Sequence, residues 1–277
     1  MTGDFLHTAM PGVAAPVFRL GLSASYWPGR KTIYRAIDEG VNFFFCYGID
    51  RQMIAVLRDV LRRERERYVV ATGAYNLVWG HPNLRKSLEK RLRQLGTDYL
   101  DAFLFLGVMK PEQYPDRLRD EMRGLRADGR IGGIGLSTHQ RKFAGELAAQ
   151  GAVDFIMMRY NAAHRGAEQD IFPRLKPHNP AVISYTATRW TSLLRAPRGW
   201  NDRVPDAGMC YRFVLSHDNV HVCLTAPKNM KQLRENLDAV RRGPLDPADV
   251  QFMHRFGDAV RSSTLHFYSF EERRSRA

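Results

Sequence analysis

The side chains of this chain that could carry chemistry fall in small groups, each just after an apolar segment. Tyr26 and Trp27 follow the first such segment, Tyr47 the second, and Tyr75 and Asn76 the third. His139 follows the fifth; Arg159, Asn161 and His164 follow the sixth; Thr188, Arg189 and Trp190 follow the seventh. Phenol and imidazole groups can move protons, so Tyr47, His139 and His164 are the candidate catalytic residues. The plainer reading of each is a wall or loop residue. Arg159 ends an apolar segment, where an unpaired guanidinium is costly to bury. It should meet a substrate anion or a phosphate, or else pair with Glu168 or Asp170. Tyr26, Trp27, Asn76, Arg159, Asn161 and Trp190 form the expected substrate-binding set. Trp27, Trp79 and Trp190 suit either an apolar mouth or ordinary loop packing. His, Cys and carboxylates never fall at metal-ligand spacing, so no metal is expected.

Positioning such groups takes a regular scaffold, and the hydrophobic pattern provides one. Leu84, Leu88, Leu92 and Leu95 lie on one helical face that stops at Gly96, and a nearly wholly apolar strand follows at once. Strands apolar on both faces belong to parallel sheets covered by helices. The same alternation predicts strands at 17–23, 41–46, 68–72, 99–106, 131–136, 153–158, 181–186 and 220–224. Helices are expected at 31–39, around Met53 to Leu61, and at 83–95, 116–127, 142–149, 168–175, 209–215, 231–240 and 247–260. About eight strand-helix units close a parallel (β/α)8 TIM barrel. An open doubly wound sheet would need a glycine-rich turn after its first strand, whereas Gly132, Gly133 and Gly135 fall at and inside the fifth. The expected organisation is a flexible N-terminal arm at 1–16, the barrel at 17–261, and a C-terminal tail at 262–277 that either covers the barrel mouth or is disordered.

Composition narrows the function classes. A chain of 277 residues, 44% hydrophobic, can bury a large core. With no bilayer-length apolar run and no basic-then-apolar leader, a cytoplasmic protein is expected. Cys46, Cys210 and Cys223 are widely spaced among apolar neighbours and read as reduced packing residues. Lys and Arg total 42 against 29 acidic residues, a net charge of +13. The cations are interleaved with acids along helices, which argues for solvated faces and against nucleic-acid or membrane partners. Attraction for a small anionic ligand or cofactor is a secondary consequence.

Several spaced segments carry a family likeness. They are Ala36 to Phe44 (Ala-Ile-Asp-Glu-Gly-Val-Asn-Phe-Phe), Leu88-Glu89 to Asp101 (ending Leu-Gly-Thr-Asp-Tyr-Leu-Asp), Gly129-Arg130-Ile131 onward to Ser137, Tyr160-Asn161, and Gln232 to Leu237. In this order they resemble the aldo-keto reductases over nearly the whole barrel. The resemblance implies an aldo-keto reductase-like (β/α)8 barrel, NADP(H) as cofactor, and a small organic carbonyl substrate. It implies catalysis by a tyrosine assisted by lysine, aspartate and histidine, because a carbonyl receiving hydride builds charge on oxygen that a proton donor must neutralise. On the same resemblance Ser137 holds the nicotinamide amide and Tyr185 stacks on its ring. Lys228, Asn229, Gln232 and Asn236 grip the adenosine phosphate, with Lys228 facing the 2′-phosphate. Phe45 stands in place of the aspartate, Gly73 of the lysine and Leu106 of the histidine, and Thr138 and Met157 replace an asparagine and a glutamine. Tyr47 remains for the general acid, on a shortened loop. The expected protein is thus NADP(H)-binding and oxidoreductase-like with a degenerate catalytic tetrad. The alternatives are an isomerase, lyase or cyclase using Tyr47, His139 or His164, or a non-catalytic nucleotide-sensing member. The oligomeric state stays open.

Overall fold

The structure, a computed structural model, describes residues 4–46, 49–75 and 83–263. Tyr47, Asn76, Trp79 and the tail beyond residue 263 lie outside the described residues.

Eight parallel strands close a barrel, and the apolar pattern explains each. In chain order the strands are β1 (His7–Met10), β2 (Val13–Phe18), β3 (Leu20–Leu22), β4 (Phe43–Phe45), β5 (Val69–Tyr75), β6 (Leu100–Val108), β7 (Ile131–Thr138), β8 (Phe155–Arg159), β9 (Ala181–Tyr185) and β10 (Val222–Thr225). The α-helices are α1 (Arg30–Asp38), α2 (Arg51–Glu64), α3 (Leu84–Leu95), α4 (Asp116–Ala127), α5 (Arg141–Ala149), α6 (Ala167–Asp170), α7 (Ala207–Leu215), α8 (Met230–Arg241) and α9 (Pro247–Ser263). Strands β3 to β10 form the barrel, and β10 pairs with β3 to close it. Helix α3 shows the local logic: Asn83 caps its start by accepting from the Lys86 amide, and Gly96 ends it in the left-handed conformation. The expected helix at 168–175 is instead the single turn α6 followed by a 3-10 turn over Phe172–Arg174.

The barrel interior is lined by apolar side chains. Phe43, Phe45, Ala71, Ala102, Leu104, Leu106, Phe155, Met157, Ile183 and Leu224 belong to one buried cluster distinct from the larger core beneath the helices. Large and small residues interdigitate. A Cβ on Gly133 would lie 2.4 Å from the Phe155 ring, so that glycine makes room for an aromatic and is no dinucleotide turn.

The N-terminal segment departs from expectation. Strands β1 and β2 form an antiparallel hairpin across what the sequence suggested was an arm, and the strand expected at 17–23 is shared between the hairpin and β3. Met10 and Val17 join the interior cluster, so the hairpin floors the barrel at the strands' N-terminal ends. Asn42, just before β4, ties it down: its Oδ1 accepts from the Phe18 amide and its Nδ2 donates to the Pro16 carbonyl, both at 2.8 Å. Arg19, where the chain changes sheets, donates to the carbonyls of Phe5, Leu215, Val220 and His221. Cys46, Cys210 and Cys223 are buried free thiols. Among the described residues no helix is long and apolar enough to cross a membrane.

Candidate active site at the barrel mouth

At the C-terminal ends of the strands the chemistry-bearing side chains converge in two groups. The first stands on β7, β8 and β9. His139 lies edge-on to Tyr185, ring centroids 6.2 Å apart, and Arg159 is in register with Tyr185 across the β8–β9 pair. Ser137 and Tyr185 are half-buried here. Asn161 is fully buried, and its hydrogen bonds are satisfied inside the fold: Nδ2 donates to the Thr186 carbonyl at 2.9 Å and Oδ1 accepts from the Ala163 amide at 3.1 Å. His164 places Nδ1 3.2 Å from the same Oδ1.

Arginines set the electrostatics of this group. Burial first, then Arg159 and Arg141, lowers the His139 imidazole to about 4. His164 falls to about 3, through burial and then the charges of Arg159, Arg189, Arg261 and Arg141. Both rings are therefore neutral at physiological pH, and neither is poised near 7 as an efficient general base should be. Asp170 pairs with Arg141 at 2.8 Å, and Glu168 accepts from the Tyr160 hydroxyl at 2.6 Å.

The second group stands on β4, β5 and β6. Phe45, Gly73 and Leu106 line one cavity of about 340 Å³, together with Cys46, Tyr75 and Arg91 among others. A Cβ on Gly73 would lie 2.1 Å from the Leu104 carbonyl oxygen and 2.8 Å from Leu106 Cγ. No longer side chain enters there without moving the neighbouring strand. Sequence reasoning missed Arg91, although its position three residues after Leu88 and four before Leu95 puts it on the inward face of α3.

Across the mouth, the start of α8 presents an exposed cationic edge. The Asn229 side chain caps the helix by accepting from the Gln232 amide at 3.0 Å, and Gln232 Oε1 accepts from the Lys228 amide at 2.8 Å. Lys228 is exposed, with Nζ 5.5 Å from the centre of the Tyr26 ring. Asn236 is buried and donates to Thr225 Oγ1 at 3.0 Å; it braces the end of β10 from below. Trp27 and Trp190 stand exposed on their loops, 68% and 54%, and both have left-handed backbones with φ of 60° and 49°. Such conformations are uncommon for bulky residues.

A closed parallel barrel whose polar side chains gather at the C-terminal ends of its strands defines the class: a (β/α)8 protein with its site at the mouth. The Aldo/keto reductase family model matches residues 30–206, most of the chain, and the protein belongs to that family. Solved structures agree on the fold. An aldo-keto reductase of Bacillus halodurans in its holo form superposes with a TM-score of 0.75 at 18% identity, covering 91% of this chain and 96% of its own. An aldo/keto reductase of Klebsiella pneumoniae in complex with NADP and acetate gives 0.69 at 20% identity, covering 90% and 96%. The glycerol dehydrogenase of Gluconobacter oxydans gives 0.69 at 19%, covering 91% and 95%.

Proposed function

We propose that this protein binds NADP(H) at the barrel mouth and acts on a small organic, carbonyl-type substrate through an altered reductase centre. The observation that carries the nucleotide part is the start of α8. An exposed ammonium, Lys228, stands beside a helix whose third amide is capped by Asn229, leaving the Met230 and Lys231 amides directed to outside acceptors. Those groups fit a phosphorylated ribose, with Gln232 and Asn229 holding the turn and Asn236 bracing it. At the other end, Tyr185 offers a half-buried ring and Ser137 a hydroxyl of the kind that would orient a nicotinamide. When bound, the nicotinamide supplies or accepts the hydride.

The chain's own residues would then exclude water and handle the proton. Phe45 and Leu106 make the second group of the mouth apolar, and the packing at Gly73 leaves no room for a lysine. Tyr47 is the remaining phenol for general-acid work. With Gly73 standing in place of the family's lysine, proton donation should be slow. Slow reduction is the kinetic signature of this reading. The neutral, weakly basic state of His139 and His164 weighs against the non-redox acid-base alternative.

The test is a fluorescence titration with NADPH, with NADH as control. NADPH should bind at least tenfold more tightly, and Lys228→Glu should remove that preference. Equal affinities in the wild type, or an unchanged preference in the variant, would sink the assignment of the α8 edge. With NADPH binding established, Tyr47→Phe should abolish turnover of any carbonyl substrate found; full activity would exclude Tyr47 as the acid.

A further inference from the structure

We propose that the cavity lined by Phe45, Gly73 and Leu106 is a carboxylate-binding pocket, with Arg91 as its anchor and the apolar walls holding the ligand's hydrocarbon or aromatic body. The inference deepens the function proposed above by naming a substrate class, small organic acids, and rests on that reading where the bound acid is the substrate.

The position of Arg91 follows from helix geometry. Residues 84, 88, 91 and 95 share one face of α3; Leu84, Leu88 and Leu95 are buried there, and Arg91 is the cation among them. Side chains on a helix lean toward its N-terminus, which for α3 is the mouth side of the barrel, so the guanidinium is carried up toward the ends of β4 and β5. It reaches the cavity beside Cys46. Its Nη1 donates to Gln94 Oε1, while its Nε is buried without a hydrogen-bond partner among the described residues.

An orphaned donor on a buried guanidinium is expensive in a folded protein. Burial also lowers the Arg91 pKa, with only the nearby Cys46 thiol acting in the opposite sense. No Asp or Glu is among the described residues lining the cavity. A ligand carboxylate meeting the part-exposed end of this guanidinium would offset a charge that the chain leaves under-satisfied, and a guanidinium matches its planar geometry better than an ammonium does. Lys90, exposed at the cavity's edge, adds attraction without demanding geometry. The remaining surfaces the argument uses are Phe45, Leu106 and the half-exposed Tyr75, which suit an aromatic or branched body. A volume of about 340 Å³ sets the size at a small ligand rather than a cofactor.

The experiment is calorimetric titration of the full chain, without nucleotide, using benzoate and its neutral isostere benzamide. Benzoate should bind at least tenfold more tightly than benzamide. Arg91→Met should weaken benzoate at least tenfold, and Arg91→Lys should recover part of the loss. Equal binding of benzoate and benzamide, or no benzoate binding, overturns the proposal, and neither result depends on a variant folding. A loss that follows Arg159→Met while Arg91→Met binds normally also overturns it, by moving the anion to the other side of the mouth. NADPH titrations of the same samples keep the two readings apart. Benzoate binding without NADPH binding leaves the pocket standing and removes the nicotinamide assignment; the reverse result does the opposite.

Discussion

Arginines crowd both ends of this barrel, and they are treated in opposite ways. At the base, Arg65 is surrounded by acceptors: it pairs with Asp101 at 2.8 Å, donates to the carbonyls of Tyr68 and Tyr99 and to Thr97 Oγ1, and lies 3.9 Å from the centre of the Tyr99 ring. Asp101 in turn accepts from the Val70 amide at 2.8 Å, which joins β5 to β6. Arg19 does the same work between hairpin and barrel. At the mouth, by contrast, Arg91 keeps a buried Nε without a hydrogen-bond partner among the described residues, and Arg189 lies near the charges of Arg159 and Arg261. Burial and then the other two charges lower the Arg189 pKa. Charge satisfied within the chain stabilises a fold; a guanidinium left short of an acceptor, like that of Arg91, favours an outside anion. On the proposed reading the two ends divide stability from ligand binding, as parallel barrels commonly do.

The sharpest way to break this contrast is to remove one arginine from each end. Arg65→Met should cost about 3 kcal/mol, because it strands a carboxylate that is only 12% exposed. Arg91→Met, at the mouth, removes a charge with an orphaned donor and should cost under about 1 kcal/mol. Denaturant unfolding measures both. Equal losses would mean that Arg91 is a structural residue like Arg65, and the division between the ends would fail.

A smaller effect is expected from pH. His139 and His164 have folded pKa values of about 4 and about 3, below the ordinary value of 6.5. Between those limits the unfolded chain binds protons that the folded chain does not, so stability rises with pH. It should be fully present above about pH 6.5 and fall progressively toward pH 4 and pH 3. Each ring contributes at most about 1.4 kcal/mol per pH unit, less where solvent screens it. Melting temperatures followed from pH 8 to pH 4 test this, and His139→Gln should flatten the slope. A slope unchanged by that substitution would place the acid sensitivity at the base, where His221 is also lowered to about 4, by burial and then by Arg19.

What could be read beforehand divides along similar lines. The eight units were legible because each inner strand and each covering helix carries its own apolar period. The hairpin was not: residues 1–16, with Pro11 and Pro16, suggest an arm, and the sheet change at Arg19 is decided by carbonyls of Phe5, Leu215, Val220 and His221, most of them far along the chain. The mouth residues could be named from their places after strands, but their states could not. That Asn161 and Asn236 have internal partners, and that Glu168 and Asp170 are taken by Tyr160 and Arg141, depends on which elements touch. Arg91 does leave a trace, a cation on a leucine face, but an arginine stem also lies along such a face with its head in water, so the sequence alone does not single it out.

The smallest expected effect concerns the backbone rather than charge. Trp27 is exposed and held at φ 60°, a left-handed conformation that costs a bulky residue roughly 1–2 kcal/mol and glycine almost nothing. At the mouth, Trp27 lines an open groove with Ile49 and Arg51, next to the Tyr26 ring that Lys228 overhangs. Trp27→Gly should therefore leave stability unchanged or raise it by about 0.5 kcal/mol, because glycine's greater freedom in the unfolded chain offsets part of the gain. The same variant should bind NADPH several-fold more weakly if the indole forms part of the mouth. A clear loss of stability with unchanged binding would make Trp27 a packing residue, and the strain would then have to be explained by the loop itself.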